Sequence, residues 1–277
     1  MTMTRNQRGF TLIELLIVML LLGIVGAAVV RSLTSASRVS QAQAQKTEMQ
    51  SNLRAGGGLI PAELREINID ASGSDLVSIS TTSITYRAMR RLGLACNVIN
   101  SGTDVVVRNT NSFGMTNFNT NDNLLVFLDG DKTRADDDIW GSYDITGVGN
   151  GTCPDGKAAQ VIKVATAVPA GSVQFDAPVR TYELMTLKIY LSGGRWWLGL
   201  ASNGGAVQPV LGPLAPSDST FGFRDANGAA TTTPSAVRVI EATLHGQTTN
   251  AISKSGYDTR QLNQDSLRIR VRLRNAS

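Results

Sequence analysis

Histidine is almost missing from this chain. His245 is the only one, with no second imidazole to form a metal pair or a proton relay. It follows an alternating segment and reads as a surface or strand-end side chain. Cysteine is nearly as scarce: Cys96 and Cys153 are too few for a disulfide scaffold, and they lack the Cys-x-x-Cys spacing of a zinc site. Charged residues make up only 17%, and no Ser, Cys or Lys stands in a compact constellation with a base and an orienting group. No enzyme, no metal centre and no cofactor is expected. The formal net charge is +4, and it falls by two if Arg5 and Arg8 are removed with a leader. That is too small to make DNA the main partner.

What is present is a 42% hydrophobic chain with 27 glycines, enough to bury a substantial core and to build a turn-rich β region. At the N-terminus a short polar and basic stretch, Met1 to Gly9, is followed by FTLIELLIVMLLLGIVGAAVV, Phe10 to Val30, in which Glu14 is the only charge. As a helix rising ~1.5 Å per residue this run covers roughly 30 Å, the thickness of the bilayer hydrocarbon. Arg5 and Arg8 precede it and predict a cytoplasmic amino end, so that the chain beyond Arg31 is exported. A simple signal anchor, a cleavable secretory signal and a buried core helix are competing readings. The apolar core of a secretory signal is shorter, and a buried helix gains nothing from the basic flank. None of the three explains Glu14, because a carboxylate in the middle of a spanning helix costs about 2.5–3.5 kcal/mol. No Lys, Arg or His lies within the apolar run to pair with it, so its partner is expected in another molecule.

The string Arg8-Gly9-Phe10-Thr11-Leu12-Ile13-Glu14-Leu15-Leu16 resembles the class III signal of type IV prepilins and type II secretion pseudopilins. The resemblance implies that a prepilin peptidase cuts between Gly9 and Phe10, that Phe10 is then N-methylated, and that Glu14 acts in subunit assembly. The partners it implies are the peptidase, other pilin or pseudopilin subunits, and inner-membrane lipid before assembly. Three head segments, Ile84-Thr85-Tyr86-Arg87, Phe221 to Gly228, and Arg272-Leu273-Arg274-Asn275, resemble the minor pilin subgroup called PilW and the pseudopilin subgroup called J. A minor type IV pilin that primes or caps a pilus is therefore expected, with a J-type pseudopilin, or a membrane-tethered binding module for DNA or polysaccharide, as alternatives. The implied location is a single pass through the bacterial inner membrane, then a pilus or pseudopilus at the surface or in the periplasm.

The expected fold is α+β: a long N-terminal transmembrane and stalk helix packed against an antiparallel β-sheet head. Its divisions are a leader at 1–9, a membrane helix at 10–30, a stalk helix with a broken continuation at 31–67, and a β-rich head at 68–277. Val39, Ala42, Met49 and Leu53 mark the stalk face that meets the head. Gly56-Gly57-Gly58 is expected to break the helix, with Pro61 opening a short second helix to Ile67; the rod would then measure about 65–70 Å. Strands are expected at Val77–Ser80, Ser83–Tyr86, Val105–Val107 and Leu124–Leu128, with a hairpin turning at Ser192-Gly193-Gly194. Trp196 and Trp197, in that hairpin, point to opposite faces.

The chain closes on Leu267 to Arg274, a period-two strand with Arg268, Arg270, Arg272 and Arg274 on one face. That stripe suits DNA phosphates, but a solvated strand face or a contact with an acidic neighbour is the commoner meaning. Asp129, Asp131, Asp136, Asp137 and Asp138 crowd one turn. Arg134 and Trp140 stand where a calcium-binding EF-hand loop has its glycine and its bidentate glutamate, so a solvated turn is expected. Cys96 and Cys153 both fall in the exported part, where an oxidising compartment favours a disulfide over two free thiols.

Overall fold

The computed structural model describes residues 11–70, 73–110, 113–114, 118, 120–131, 133–134, 136–215, 218–253 and 260–274. The fold is α+β, one long apolar N-terminal helix and a large antiparallel β head. The chain divides into two compact units, Met1–Glu48 with Thr248–Asn263, and Met49–Gln247 with Gln264–Ser277.

Helix α1 runs unbroken from Leu12 to Leu64, 53 residues, or about 80 Å at 1.5 Å per residue. This corrects the expected break at Gly56-Gly57-Gly58, the separate helix from Pro61 to Ile67, and the shorter rod. Pro61 lies inside the same helix. Each glycine costs a helix ~1 kcal/mol relative to alanine, and an interior proline about 3. Against that, Met49, Leu53, Ile60 and Leu64 are buried, each contributing about 1.5–3 kcal/mol. Gly56 belongs to the same buried face, and a Cβ there would run into the Leu211 side chain. The face predicted from Val39 begins later, at Met49, because Val39 is exposed and Ala42 is only half-buried.

In the unit containing the first part of α1, Thr248 is buried, and its backbone N–H donates to the Asn263 carbonyl at 2.9 Å. The Asn250 N–H donates to Gln45 Oε1 at 3.1 Å.

Among the described residues, twelve strands longer than two residues build the head: β1 Leu76–Ser80, β2 Ser83–Ile99, β3 Asp104–Arg108, β4 Asn123–Leu128, β5 Ile139–Thr152, β6 Ala158–Val164, β7 Ala177–Ser192, β8 Arg195–Ser202, β9 Gln208–Leu214, β10 Thr220–Arg224, β11 Val239–Gln247 and β12 Gln264–Arg272. All their pairings are antiparallel. One set runs β1-β2-β7-β8-β9-β11, with β10 and β12 on either side of β11. Its inner face meets the second part of α1 in a core that includes Ile60, Leu64, Tyr86, Leu187, Leu198, Phe221, Ile240 and Leu244.

The second set was not anticipated. β2 pairs with β3, β3 with β6, β6 with β5, β5 with β4, β4 with β7, and β7 again with β2. The ring closes into a six-stranded barrel. A second buried cluster fills it, including Val105, Val107, Leu124, Val126, Tyr143, Ile162 and Val179, as the narrow bore of a small barrel requires. Only the long strands β2 and β7 belong to both sets. The register between them shifts at Thr181/Tyr182, and such a bulge lets a strand bend from one sheet into another.

The expected hairpin is β7–β8. Ser192 pairs with Arg195 across a two-residue turn in which Gly193 and Gly194 have φ of +57° and +73°, values that favour glycine. Trp196 packs against the helix-facing core, whereas Trp197 lies on the opposite face against Gly212, its indole N–H donating to the Ser192 carbonyl at 3.3 Å.

Candidate functional site

The junction Gly9–Phe10 lies outside the described residues. From Thr11 onward the structure describes the segment that carries the motif. Thr11 caps α1: the Glu14 N–H donates to Thr11 Oγ1 at 3.4 Å and to the Thr11 carbonyl at 3.1 Å. Thr11-Leu12-Ile13-Glu14 has the spacing of a capping box, Thr at the cap and Glu three residues on, of which the Thr11 half is formed. That second meaning of Glu14 was legible as a Thr-x-x-Glu spacing. The Glu14 carboxylate has no ion pair or hydrogen bond among the described residues. Every residue from Thr11 to Gln41 is exposed, including Leu15, Leu16, Leu20, Ile24 and Val29. The helix is long and apolar enough to cross a membrane by length and composition.

The head residues singled out by sequence fall in separate places. Cys96 on β2 and Cys153 just after β5 form a disulfide, Cα atoms 5.7 Å apart, both buried beside Val106 and Ala159. Close to it is a cation that sequence reasoning missed. Arg108 on β3 has a side chain only 7% exposed, with Nη1 2.5 Å from Asp155 Oδ2 and Nε 2.8 Å from Asp176 Oδ1. Its guanidinium also lies over the Phe175 ring, 4.9 Å from the centroid. The hydrogen bond from Arg108 holds Asp155 below the usual carboxylate range. Arg108 and the disulfide thereby fasten the same turn to the barrel. No local pattern marks such a pair, since the aspartates come from distant loops.

The acidic turn is engaged within itself only in part, since Asp129 Oδ1 and Asp137 Oδ1 are buried with no hydrogen-bond partner among the described residues. Asp131 Oδ1 accepts from the Thr133 N–H and hydroxyl at 3.0 and 2.8 Å, and Arg134 makes a two-pronged pair with Asp136 at 2.9 and 2.6 Å. Desolvation, followed by the neighbouring Asp129, Asp137 and Asp136, raises the Asp138 pKa. Among the described residues, no three His, Cys, Asp or Glu side chains come together to hold a metal ion. His245 lies on β11 opposite Ser266, half-buried, its N–H donating to Ser219 Oγ at 3.0 Å.

Near the end of α1, the Tyr86 hydroxyl donates to Glu63 Oε2 at 2.8 Å. Burial first, then the Glu63 charge, pushes the Tyr86 pKa well above the ordinary phenol value. The recess beside it measures about 230 Å³ and is lined by Glu63, Glu66, Arg87 and Arg90 among others, smaller than the ~300 Å³ at which ligand pockets begin.

The N-terminal segment thus combines a capped, wholly exposed apolar helix with one unpaired carboxylate. Residues 4–30 match the family model described as the prokaryotic N-terminal methylation motif. No curated protein and no solved structure matches the chain. The motif is the site of prepilin peptidase cleavage and methylation, and its family is structural. With the apolar helix beyond it, the match supports a type IV pilin-like or pseudopilin-like precursor, processed by that peptidase and fit for anchoring in a membrane.

Proposed function

We propose that the chain is a minor type IV pilin, cut between Gly9 and Phe10, methylated on Phe10, and placed at low copy in a pilus that it primes or caps. The observation that carries this reading is Glu14, an unpaired carboxylate on an otherwise apolar exposed helix, inside a matched methylation motif. A carboxylate so placed is costly in lipid and gains a partner when subunits bundle. The minor role is supported by the head, which joins a helix-packed sheet to a closed barrel. A head of this size is awkward to repeat at every step of a slim filament. Export is supported by Arg5 and Arg8 ahead of the apolar run and by the Cys96–Cys153 disulfide, which suits an oxidising compartment.

Two measurements test the proposal. The native protein should have the intact mass of a chain starting at Phe10 with one added methyl group. Deleting the chain should remove surface pili and leave protein secretion intact. A mature chain starting elsewhere removes the processing step, and loss of secretion with pili retained assigns the subunit to a secretion pseudopilus instead.

A further inference from the structure

The small net charge conceals a strongly uneven distribution on one face of the head. In β12, Leu267, Ile269 and Val271 turn toward the core while Arg268, Arg270 and Arg272 are exposed on the other side, and just past the strand's end Leu273 is buried and Arg274 exposed. Successive arginines within the strand stand ~6.7 Å apart, two residues at 3.3–3.4 Å each, and with Arg274 two residues past its end the four extend over up to about 20 Å. The pairing of β12 with β11 shows what surrounds them. Arg268 lies opposite Thr243, Arg270 opposite Glu241 and Arg272 opposite Val239, and directly opposed residues share a face. Glu241 is the one carboxylate in these positions, and it is already shared: Arg224 Nε lies 2.9 Å away and Arg270 Nε 3.6 Å. Arg268, Arg272 and Arg274 have no ion pair among the described residues. At the far end, an open recess of about 610 Å³ lined by Arg65, Glu66, Arg272 and Arg274 continues the basic surface.

We propose that the outer face of β12 binds the phosphate backbone of a nucleic-acid duplex. A guanidinium matches a phosphate with two parallel hydrogen bonds, which an array of arginines repeats along a line. A duplex carries one charge per ~1.7 Å of axis, so 20 Å of it presents roughly a dozen phosphates in any register. An acidic protein surface would instead need several carboxylates at one fixed spacing. Across β10 the same face continues with Thr220, Gly222 and Arg224, so its paired positions hold no aromatic ring on which an unpaired base could stack. Binding is therefore to the backbone and independent of base sequence.

The test uses the full-length chain in detergent with a fluorescent 30-base-pair duplex of arbitrary sequence. Binding should weaken about 100-fold between 50 and 200 mM salt if four phosphates are engaged, from a log–log slope of about −0.9 per phosphate. The combined variant Arg268→Gln, Arg270→Gln, Arg272→Gln, Arg274→Gln should lose duplex binding with an unchanged circular dichroism spectrum and melting temperature. A second variant that neutralises Arg38, Lys46, Lys163 and Lys188, all exposed, removes equal charge and should retain binding. No binding at 50 mM salt, equal loss in both variants, or displacement of the duplex by polyglutamate at matched charge would overturn the proposal, the last in favour of an acidic protein partner.

Discussion

Glu14 occupies the first turn of α1, where an acid gains about 0.3–1 kcal/mol from the helix dipole. Its desolvation costs up to about 2.5–3.5 kcal/mol, the value at the centre of a spanning helix, and less in the first turn, so a carboxylate here is costly wherever lipid rather than water surrounds it. In the assembly proposed above, the α-amino group freed by cutting before Phe10 of a neighbouring subunit, with an ordinary pKa near 8, would be the cationic partner. Glu14→Ala should therefore leave membrane insertion and cleavage nearly unchanged but sharply reduce the share of subunit recovered in sheared filaments. Equal recovery of the variant and the parent would show that the carboxylate takes no part in assembly. Glu14→Gln is the informative companion, because it keeps the size of the side chain and removes its charge.

At the scale of the element, the three adjoining glycines Gly56, Gly57 and Gly58 of α1 occupy quite different places. Gly56 is buried against Leu211 and Leu244, whereas a Cβ on Gly58 would meet nothing within 4 Å. Gly58→Ala should stabilise the protein by about 0.5–1 kcal/mol through helix propensity. Gly56→Val should destabilise it by about 1–3 kcal/mol, the usual cost of overpacking a filled core. Urea midpoints followed by tryptophan fluorescence in the full-length chain would show the two signs. A shift in the same direction for both would mean that the glycines act through the helix alone and that the close approach of Leu211 is unimportant. The run of glycines is thus a packing device on one face and a tolerated weakness on the other.

On the scale of the whole molecule, β2 and β7 tie the helix-packed sheet to the barrel, and each body keeps its own core. The disulfide belongs to the barrel, joining positions 57 residues apart. In the chain-entropy model a loop of that length stabilises by about 4 kcal/mol. Replacing both cysteines by alanine should lower stability by about that amount, with backbone amide exchange accelerating first in β3, β5 and β6. Arg108, with Asp155 and Asp176, still fastens the turn in that variant, so the barrel should loosen rather than disappear. An unchanged urea midpoint and unchanged exchange would show that the bridge adds nothing to the closed ring.

By itself the sequence determined the features that depend on neighbouring residues. The methylation motif, the apolar run with Glu14, the alternation of Leu267 to Arg274 and the Gly193-Gly194 turn are local patterns, and period and spacing were enough to read them. Tertiary structure decided the rest. The unbroken passage of α1 through Gly56 to Pro61 was hidden because propensity is local, while the burial of Ile60 and Leu64 that outweighs it comes from strands far along the chain. The barrel was hidden for a related reason. A strand lining a barrel and one lying on a helix show the same period of two, and only the return of β7 to β2 closes the ring. The arginine stripe was visible as a period, but its open charge was not, because the pairing of β12 with β11 alone sets Glu241 as its sole acidic neighbour across the strand.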